Sequence, residues 1–334
     1  MEIPAQVLKP VWDTWDYSGD EAFLKNTVYP LTRELATFYA AYVTREDDGL
    51  YHVIPTVSSE HHGLGYQYSV NKNSASALSF IKWTLRSAAD AAEILGVDEP
   101  ERSQWREISD NMAPYPKWDT PEGPVITDIA GIDPIAHHGF NHFPGWLPVI
   151  LADQVTLDSD AETKEVYLRS ARTIGHKTWH AADVPYLLGA SSDVAQPEPN
   201  WFQKIGPGMK LDSAKNLQTI TLKEPERLLN SRSGRIHLFP AVPATATIAF
   251  RNFQTRGGFL VTAEKVKGKT TFVEITARRS IDCEVMNPWP GQEVEIRDKS
   301  SNQIYPSRKD NTNGECLIFA AKAGSSYQIL QAAK

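Results

Sequence analysis

The chain has 334 residues, with 34 Lys and Arg in total against 41 Asp and Glu, giving a formal net charge of −7 at pH 7. With 41% hydrophobic and 22% charged residues it has the apolar material for a packed core, which excludes wholesale disorder. An acidic chain with no Lys/Arg block is not built to hold a phosphate backbone, and stretches such as Leu147 to Ala152 fall far short of the roughly 20 apolar residues of a membrane helix, so neither nucleic acid nor a membrane is expected as a partner.

Met1 to Pro10 has no basic segment followed by an apolar one, so no secretion signal is read there. From Glu21 to Val43, Phe23, Leu24, Val28, Leu31, Leu35, Phe38, Tyr39 and Tyr42 recur at three- and four-residue steps, the period of an amphipathic helix, with Pro30 restarting it as a second segment. A second helix is predicted from Ala75 to Leu95, with Ser74 as N-cap and Gly96 as the stop, and a third from Pro100 to Met112. Asp160 to Ile174 and Trp179 to Leu188 read as two more, and Asn216 to Leu229 as another interrupted at Pro225. The long loops between them, Val53 to Asn73 and Ala113 to Pro144, are rich in Pro, Gly and His, and loops of that length usually carry function.

After about Ser231 the period changes to two. Gly258–Ala263, Thr271–Thr276, Glu293–Arg297, Glu315–Phe319 and Ser326–Leu330 read as short strands, bounded by Gly257-Gly258, Lys267-Gly268, Pro290-Gly291, Asn313-Gly314 and Ala323-Gly324. The expected fold is thus mainly α followed by all-β, the second part an antiparallel β-sandwich of about 100 residues. Cys283 and Cys316 are too few for a disulfide scaffold, although one bridge between them is open.

Nine Trp and twelve Tyr, many beside acidic residues or His as in Trp12-Asp-Thr-Trp15-Asp-Tyr17 and Trp179-His180, suit a sugar site, although such residues also fill cores. Glu60, followed by His61-His62 in a loop between two helices, is a candidate general acid; a solvated loop Glu is the competing reading. His137-His138-Gly-Phe-Asn141-His142 lacks the partners of a familiar zinc site, so no metal is expected. Asp183, Asp193 and Asp212 are candidate bases, although a cap or surface role is the first reading of each. With no Gly-rich phosphate loop and no Gly-x-Ser-x-Gly elbow, no cofactor is expected, and nucleotide and serine-hydrolase chemistry lose their support.

Three stretches together resemble glycoside hydrolase family 95, the inverting α-L-fucosidases and related α-L-galactosidases. Trp12-Asp-Thr-Trp15-Asp-Tyr-Ser-Gly-Asp20-Glu-Ala-Phe-Leu24, Tyr29-Pro30 and Asp48-Gly49-Leu50, leading into Ser58-Ser-Glu60-His61, follow the family's order up to its Ser-Pro-Glu-Asn acid motif, with Ser59 in place of the Pro. Ala92-Glu-Ile-Leu-Gly-Val-Asp98 followed by His138-Gly-Phe-Asn-His142 is similar to a later His-rich stretch. Leu228-Leu-Asn-Ser-Arg-Ser-Gly-Arg-Ile-His-Leu-Phe-Pro-Ala-Val-Pro243 with Arg256-Gly-Gly-Phe259 is the most specific match.

The resemblance implies a helical catalytic region over 1–230, part of an (α/α)6 barrel and incomplete at its N-terminus, and a β-sandwich over 231–334. It implies Glu60 as general acid and Asp212, in Lys210-Leu-Asp-Ser-Ala214, as the counterpart of the base. His61, Trp15, His138, His142 and Trp179 become substrate-binding candidates. An oligosaccharide or polysaccharide carrying a terminal fucose or galactose-like sugar is the implied substrate, met outside the cytoplasm. The competing expectation is a carbohydrate-binding remnant that has kept the aromatic cleft without the base machinery. A half-barrel would also leave an apolar edge exposed, so self-association is expected.

Overall fold

The computed structural model describes residues 1–57, 72–135, 143–174, 180–181, 183–190 and 225–332. The chain divides into two compact units, one comprising Met1–Trp12, Glu21–Pro185 and Gln196–Gly206, the other Asp13–Asp20, Tyr186–Ala195 and Pro207–Lys334.

The helical unit opens with α1 (Ile3–Ser18), whose residues from Asp13 onward belong to the second unit. α2 (Glu21–Phe23), a π-helical turn (Leu24–Val28) and α3 (Tyr29–Tyr42) follow without a break, so the predicted restart at Pro30 is a change of helical pitch with Pro30 in the first turn of α3. β1 (Thr44–Arg45) and β2 (Tyr51–His52) form a small hairpin. α4 (Ala75–Leu95) is the centre of the unit. Fifteen of its residues are buried, many of them Ala or Ser, and side chains that small let the neighbouring helices approach closely. Its ends are those predicted: Ser74 Oγ accepts the Ala77 amide at 3.3 Å, and Gly96 stops the helix at φ +67°. Two of the hydroxyls this burial traps are satisfied by the helix itself, Ser79 donating to Ser76 O at 2.9 Å and Thr84 to Phe80 O at 2.8 Å, while Ser76 donates to Glu2 Oε1 at 3.3 Å.

α5 (Glu99–Asp110) packs on α4 through Trp105 and Ile108. The residue before it, Asp98, accepts from Tyr29 Oη at 2.5 Å and Arg33 Nε at 2.7 Å, which holds its carboxyl below the usual range and raises the Tyr29 hydroxyl, whose own burial is the larger cause. β3 (Lys117–Trp118) and β4 (Val125–Ile126), a 3₁₀ turn (Pro144–Trp146), α6 (Leu147–Ile150), α7 (Ala161–Ile174) and α8 (Asp183–Leu187) complete the unit's regular elements among the described residues. Lys9 and Asp153 form an ion pair at 2.8 Å, Lys9 also lying over the Trp83 ring, which meets Trp12 edge-on.

In the second unit, β5 (Leu229–Asn230) and β6 (His237–Leu238) pair with each other, so the helix expected up to Leu229 ends before a strand; Asn216 to Glu224 lie outside the described residues. β7 (Ile248–Thr255), β8 (Phe259–Val266), β9 (Lys269–Ala277), β11 (Val294–Asp298) and β14 (Ser326–Gln331) form a five-stranded antiparallel sheet in the order β11-β14-β9-β8-β7. β10 (Asp282–Met286), β12 (Arg308–Asp310) and β13 (Cys316–Ala320) form a three-stranded one with β13 central. Strand alternation sends Phe259, Val261, Ala263, Val273, Ile275, Tyr327 and Ile329 from the larger sheet, and Cys283, Val285, Leu317 and Phe319 from the smaller, into one core. At roughly 1.5–3 kcal/mol for each large side chain withdrawn from water, that shared core is the main source of the unit's stability.

Cys283 and Cys316 are both free and buried. Cys283 stands opposite Phe319 and Cys316 opposite Met286, three rungs apart on adjacent strands. Three rungs at about 3.4 Å each exceed the roughly 7 Å that a disulfide spans between α-carbons. Burial pushes the Cys283 thiol far up, so it packs as a small apolar group.

Candidate functional site

Of the candidate site residues, Glu60 and Asp212 as acid and base, and His61, His138, His142 and Trp179 as sugar contacts, all lie outside the described residues. Trp15 is described, as are the residues that flank the Glu60 segment, 58–71.

Those flanks are joined by a polar clamp. Val53 and Asn73 exchange bonds: the Asn73 amide donates to Val53 O at 3.1 Å, and the Val53 amide donates to Asn73 Oδ1 at 2.9 Å. Because a backbone N–H faces Oδ1, the other end of the carboxamide is Nδ2, which donates to His52 Nδ1 at 2.7 Å. The tautomer follows: His52 accepts at Nδ1 and donates from Nε2 to Asp48, at 3.0 Å to Oδ2 and 3.2 Å to Oδ1. Glu46 Oε2 lies 3.4 Å from the same nitrogen and is itself paired with Lys72. One step outward, Thr56 and Ser74 hydroxyls meet at 2.9 Å and Tyr42 donates to Pro55 O.

The local sequence explains why this clamp forms. Asp48-Gly49 makes a tight turn, with Gly49 at φ +81° and the Leu50 amide donating to Asp48 Oδ1 at 3.0 Å, and the turn delivers β2 with His52 four residues on. The Leu50 amide and then the His52 bond hold the Asp48 carboxyl below its usual range, so it is an anion facing the imidazole N–H. Asn73 sits at φ +57°, a conformation Asn tolerates better than most residues, and Ser74 beside it caps α4. His52, Asn73, Thr56 and Ser74 are all buried. Sequence reasoning singled out Asp48-Gly49-Leu50 only as a matching stretch and missed His52 and Asn73. The usable signal was an Asp-Gly turn with a His at the fourth position after the Asp.

Trp15 belongs to a different cluster, in the second unit. It is 3% exposed, and the Arg279 guanidinium lies 5.2 Å from its ring centroid. Gly19 ends α1 at φ +73° with its amide donating to Trp15 O at 2.7 Å, and a Cβ there would stand 2.4 Å from Arg279 Cδ, so both the backbone and the space call for glycine. Beside it, Arg256 pairs with Asp13 at 3.2 Å and Asp16 at 3.4 Å and lies over the Tyr17 ring. The Gly257 amide donates to Asp16 Oδ1 at 3.0 Å, and the Arg256 amide donates to Ser231 Oγ at 3.1 Å. Burial raises the Tyr17 hydroxyl, with Arg256 pulling the other way. Three stretches singled out by sequence thus meet at Arg256, whose guanidinium holds Asp13, Asp16 and Tyr17 and whose backbone amide holds Ser231.

Among the described residues, no group of three or more His, Cys, Asp or Glu is placed to hold a metal, and no helix is long and apolar enough to cross a membrane.

Residues 4–120 match the family described as Glycosyl hydrolase family 95 catalytic domain. The chain is 31% identical over 88 residues to Alpha-L-fucosidase 2 of Arabidopsis thaliana, a stretch covering 25% of this chain and 10% of that protein. Among solved structures, an alpha-L-rhamnosidase from Dictyoglumus thermophilum aligns with 97% of this chain and 39% of its own at 14% identity and a TM-score of 0.46. The Streptomyces avermitilis alpha-L-rhamnosidase complexed with L-rhamnose aligns with 96% and 32% at 11% identity and a TM-score of 0.45. The chain spans well under half the length of these relatives, and its residues 4–120 are similar to the glycosyl hydrolase family 95 catalytic domain.

Proposed function

We propose that this chain is the acid-bearing part of an inverting glycosidase that removes a terminal fucose or galactose-like sugar from an oligosaccharide or polysaccharide outside the cytoplasm. The observation that carries this reading is the family 95 catalytic-domain match over residues 4–120, because that interval contains Ser58-Ser-Glu60-His61 in the family's order.

In this reading Glu60 protonates the leaving glycosidic oxygen while Asp212 activates a water on the opposite face of the sugar. Inversion requires the two carboxyls to stand about 6.5–9.5 Å apart so that the water fits between sugar and base. His61, His138, His142 and Trp179 contact the sugar. Trp15, covered by Arg279, is too enclosed to face a sugar and holds the end of α1 in place. The helical region is read as part of an (α/α)6 barrel and the two sheets as a sandwich that share a core.

The test incubates the full chain with 4-nitrophenyl α-L-fucoside, α-L-galactoside and α-L-rhamnoside, and with a fucosylated oligosaccharide, following the anomer released by NMR. Release of the β-anomer from the fucoside or galactoside supports the proposal, whereas release of the α-anomer overturns inversion. Calorimetric binding of the oligosaccharide with no monosaccharide released on long incubation favours the non-catalytic binding remnant instead.

A further inference from the structure

We infer that His52 and Asn73 are positioning residues for the general acid, acting as one unit that fixes where the acid-bearing segment leaves and rejoins the helical scaffold. The inference rests on the reading of Glu60 as the acid. Glu60 follows Val57 by three residues, and three residues reach at most about 11 Å, so the acid is tethered close to whatever fixes Val53 to Val57. What fixes that stretch is the clamp. Its returning residues, Asn73-Ser74, are anchored at the start of the central helix α4, where the Ala75 amide also donates to Asp128 O at 2.8 Å.

The chain of bonds runs in one direction. Asp48 accepts from His52 Nε2, His52 Nδ1 accepts from Asn73 Nδ2, and Asn73 Oδ1 accepts from the Val53 amide. Each group's second bond fixes the orientation of its first, so removing either His52 or Asn73 releases the same constraint. A carboxylic acid displaced by an ångström still binds substrate but protonates the leaving oxygen poorly. The defect should therefore fall on kcat and grow with the basicity of the leaving group, since an activated phenolate departs without help.

The experiment compares wild type, Glu60→Gln, His52→Ala, Asn73→Ala, the double alanine variant and His52→Gln as full chains, on 2,4-dinitrophenyl α-L-fucoside and on a fucosylated oligosaccharide. On the oligosaccharide, kcat of either alanine variant should fall about 10–100-fold with KM within about twofold, and on the dinitrophenyl substrate it should fall less than about threefold. The double variant should be no worse than the poorer single one, and His52→Gln, which keeps an acceptor and a donor, should recover most of the loss. Equal losses on both substrates, or additive ones, would overturn the positioning role while leaving Glu60 as the acid. Loss in none of the variants including Glu60→Gln would overturn the acid assignment itself. Amide exchange supplies a readout that needs no turnover: the alanine variants should exchange faster in peptides covering 52–57 and 72–76 at unchanged rates in α5, and unchanged exchange at both flanks would contradict the clamp.

Discussion

Two polar clusters in this protein are built from similar parts and serve opposite ends. At Arg256, a guanidinium draws Asp13, Asp16 and Tyr17 together while the Arg256 amide donates to Ser231 Oγ and the Gly257 amide to Asp16, and the residues gathered are those whose sequence pattern stood out most. Around His52, a chain of side-chain and backbone bonds running from the Asp48 carboxylate to the Val53 amide joins the residues on either side of 58–71. The first cluster fastens the end of α1 to the connections between β-strands and should be felt in stability. The second fixes the residues on either side of the segment proposed to carry the acid and, on that proposal, should be felt in turnover. A recognisable sequence pattern therefore marks a place where the backbone and packing are tightly specified, which need not be the place where substrate is touched.

The comparison can be broken or sharpened by four measurements. The largest effect is expected at Glu60, where replacement by Gln should lower oligosaccharide turnover by about 10²–10⁴-fold, the usual contribution of a general acid. On the structural side, Ile275→Ala in the shared sheet core should cost about 2–5 kcal/mol, read from urea unfolding. A cost below about 1 kcal/mol would mean that the core collapses around the void. Arg256→Ala should cost somewhat less, about 2–3 kcal/mol, because its carboxylate partners keep some contact with water. If that variant lost turnover at unchanged stability, the two clusters would have exchanged roles.

The smallest effect concerns pH. Asp98 is held below its ordinary value by Tyr29 and Arg33, so its contribution is complete above the unfolded value near 3.9 and is lost as pH falls through the lower folded value. Asp98→Asn should therefore lower Tm at pH 7, with the gap to wild type closing below about pH 4. A gap that stays constant down to pH 2 would show that the Asp98 carboxylate charge contributes nothing to folding.

Much of this architecture was legible in the sequence, and the exceptions have physical causes. α4 announced itself because apolar period, Ser74 and Gly96 all agreed. β8, β9, β11, β13 and β14 did so through alternation and glycine turns, whereas β10 and β12 were not read. α1 was missed because Trp12, Trp15, Tyr17 and an internal Pro10 hide the helical period among aromatics, and those aromatics read as sugar-binding when Trp15 is in fact enclosed. β7 was missed because a bulge between Phe250 and Phe253 breaks its alternation. At the candidate site Glu60 was singled out by its neighbours in sequence and lies outside the described residues. The clamp was not, because His52 and Asn73 are 21 positions apart and acquire meaning only when the chain returns.

The most direct test of the central claim is the rate at which Glu60→Gln releases sugar from a fucosylated oligosaccharide, with its melting temperature measured on the same sample. The account predicts a loss of about 10²–10⁴-fold at an unchanged melting temperature. Wild-type turnover in that variant would remove Glu60 from catalysis and the function proposed for its segment with it.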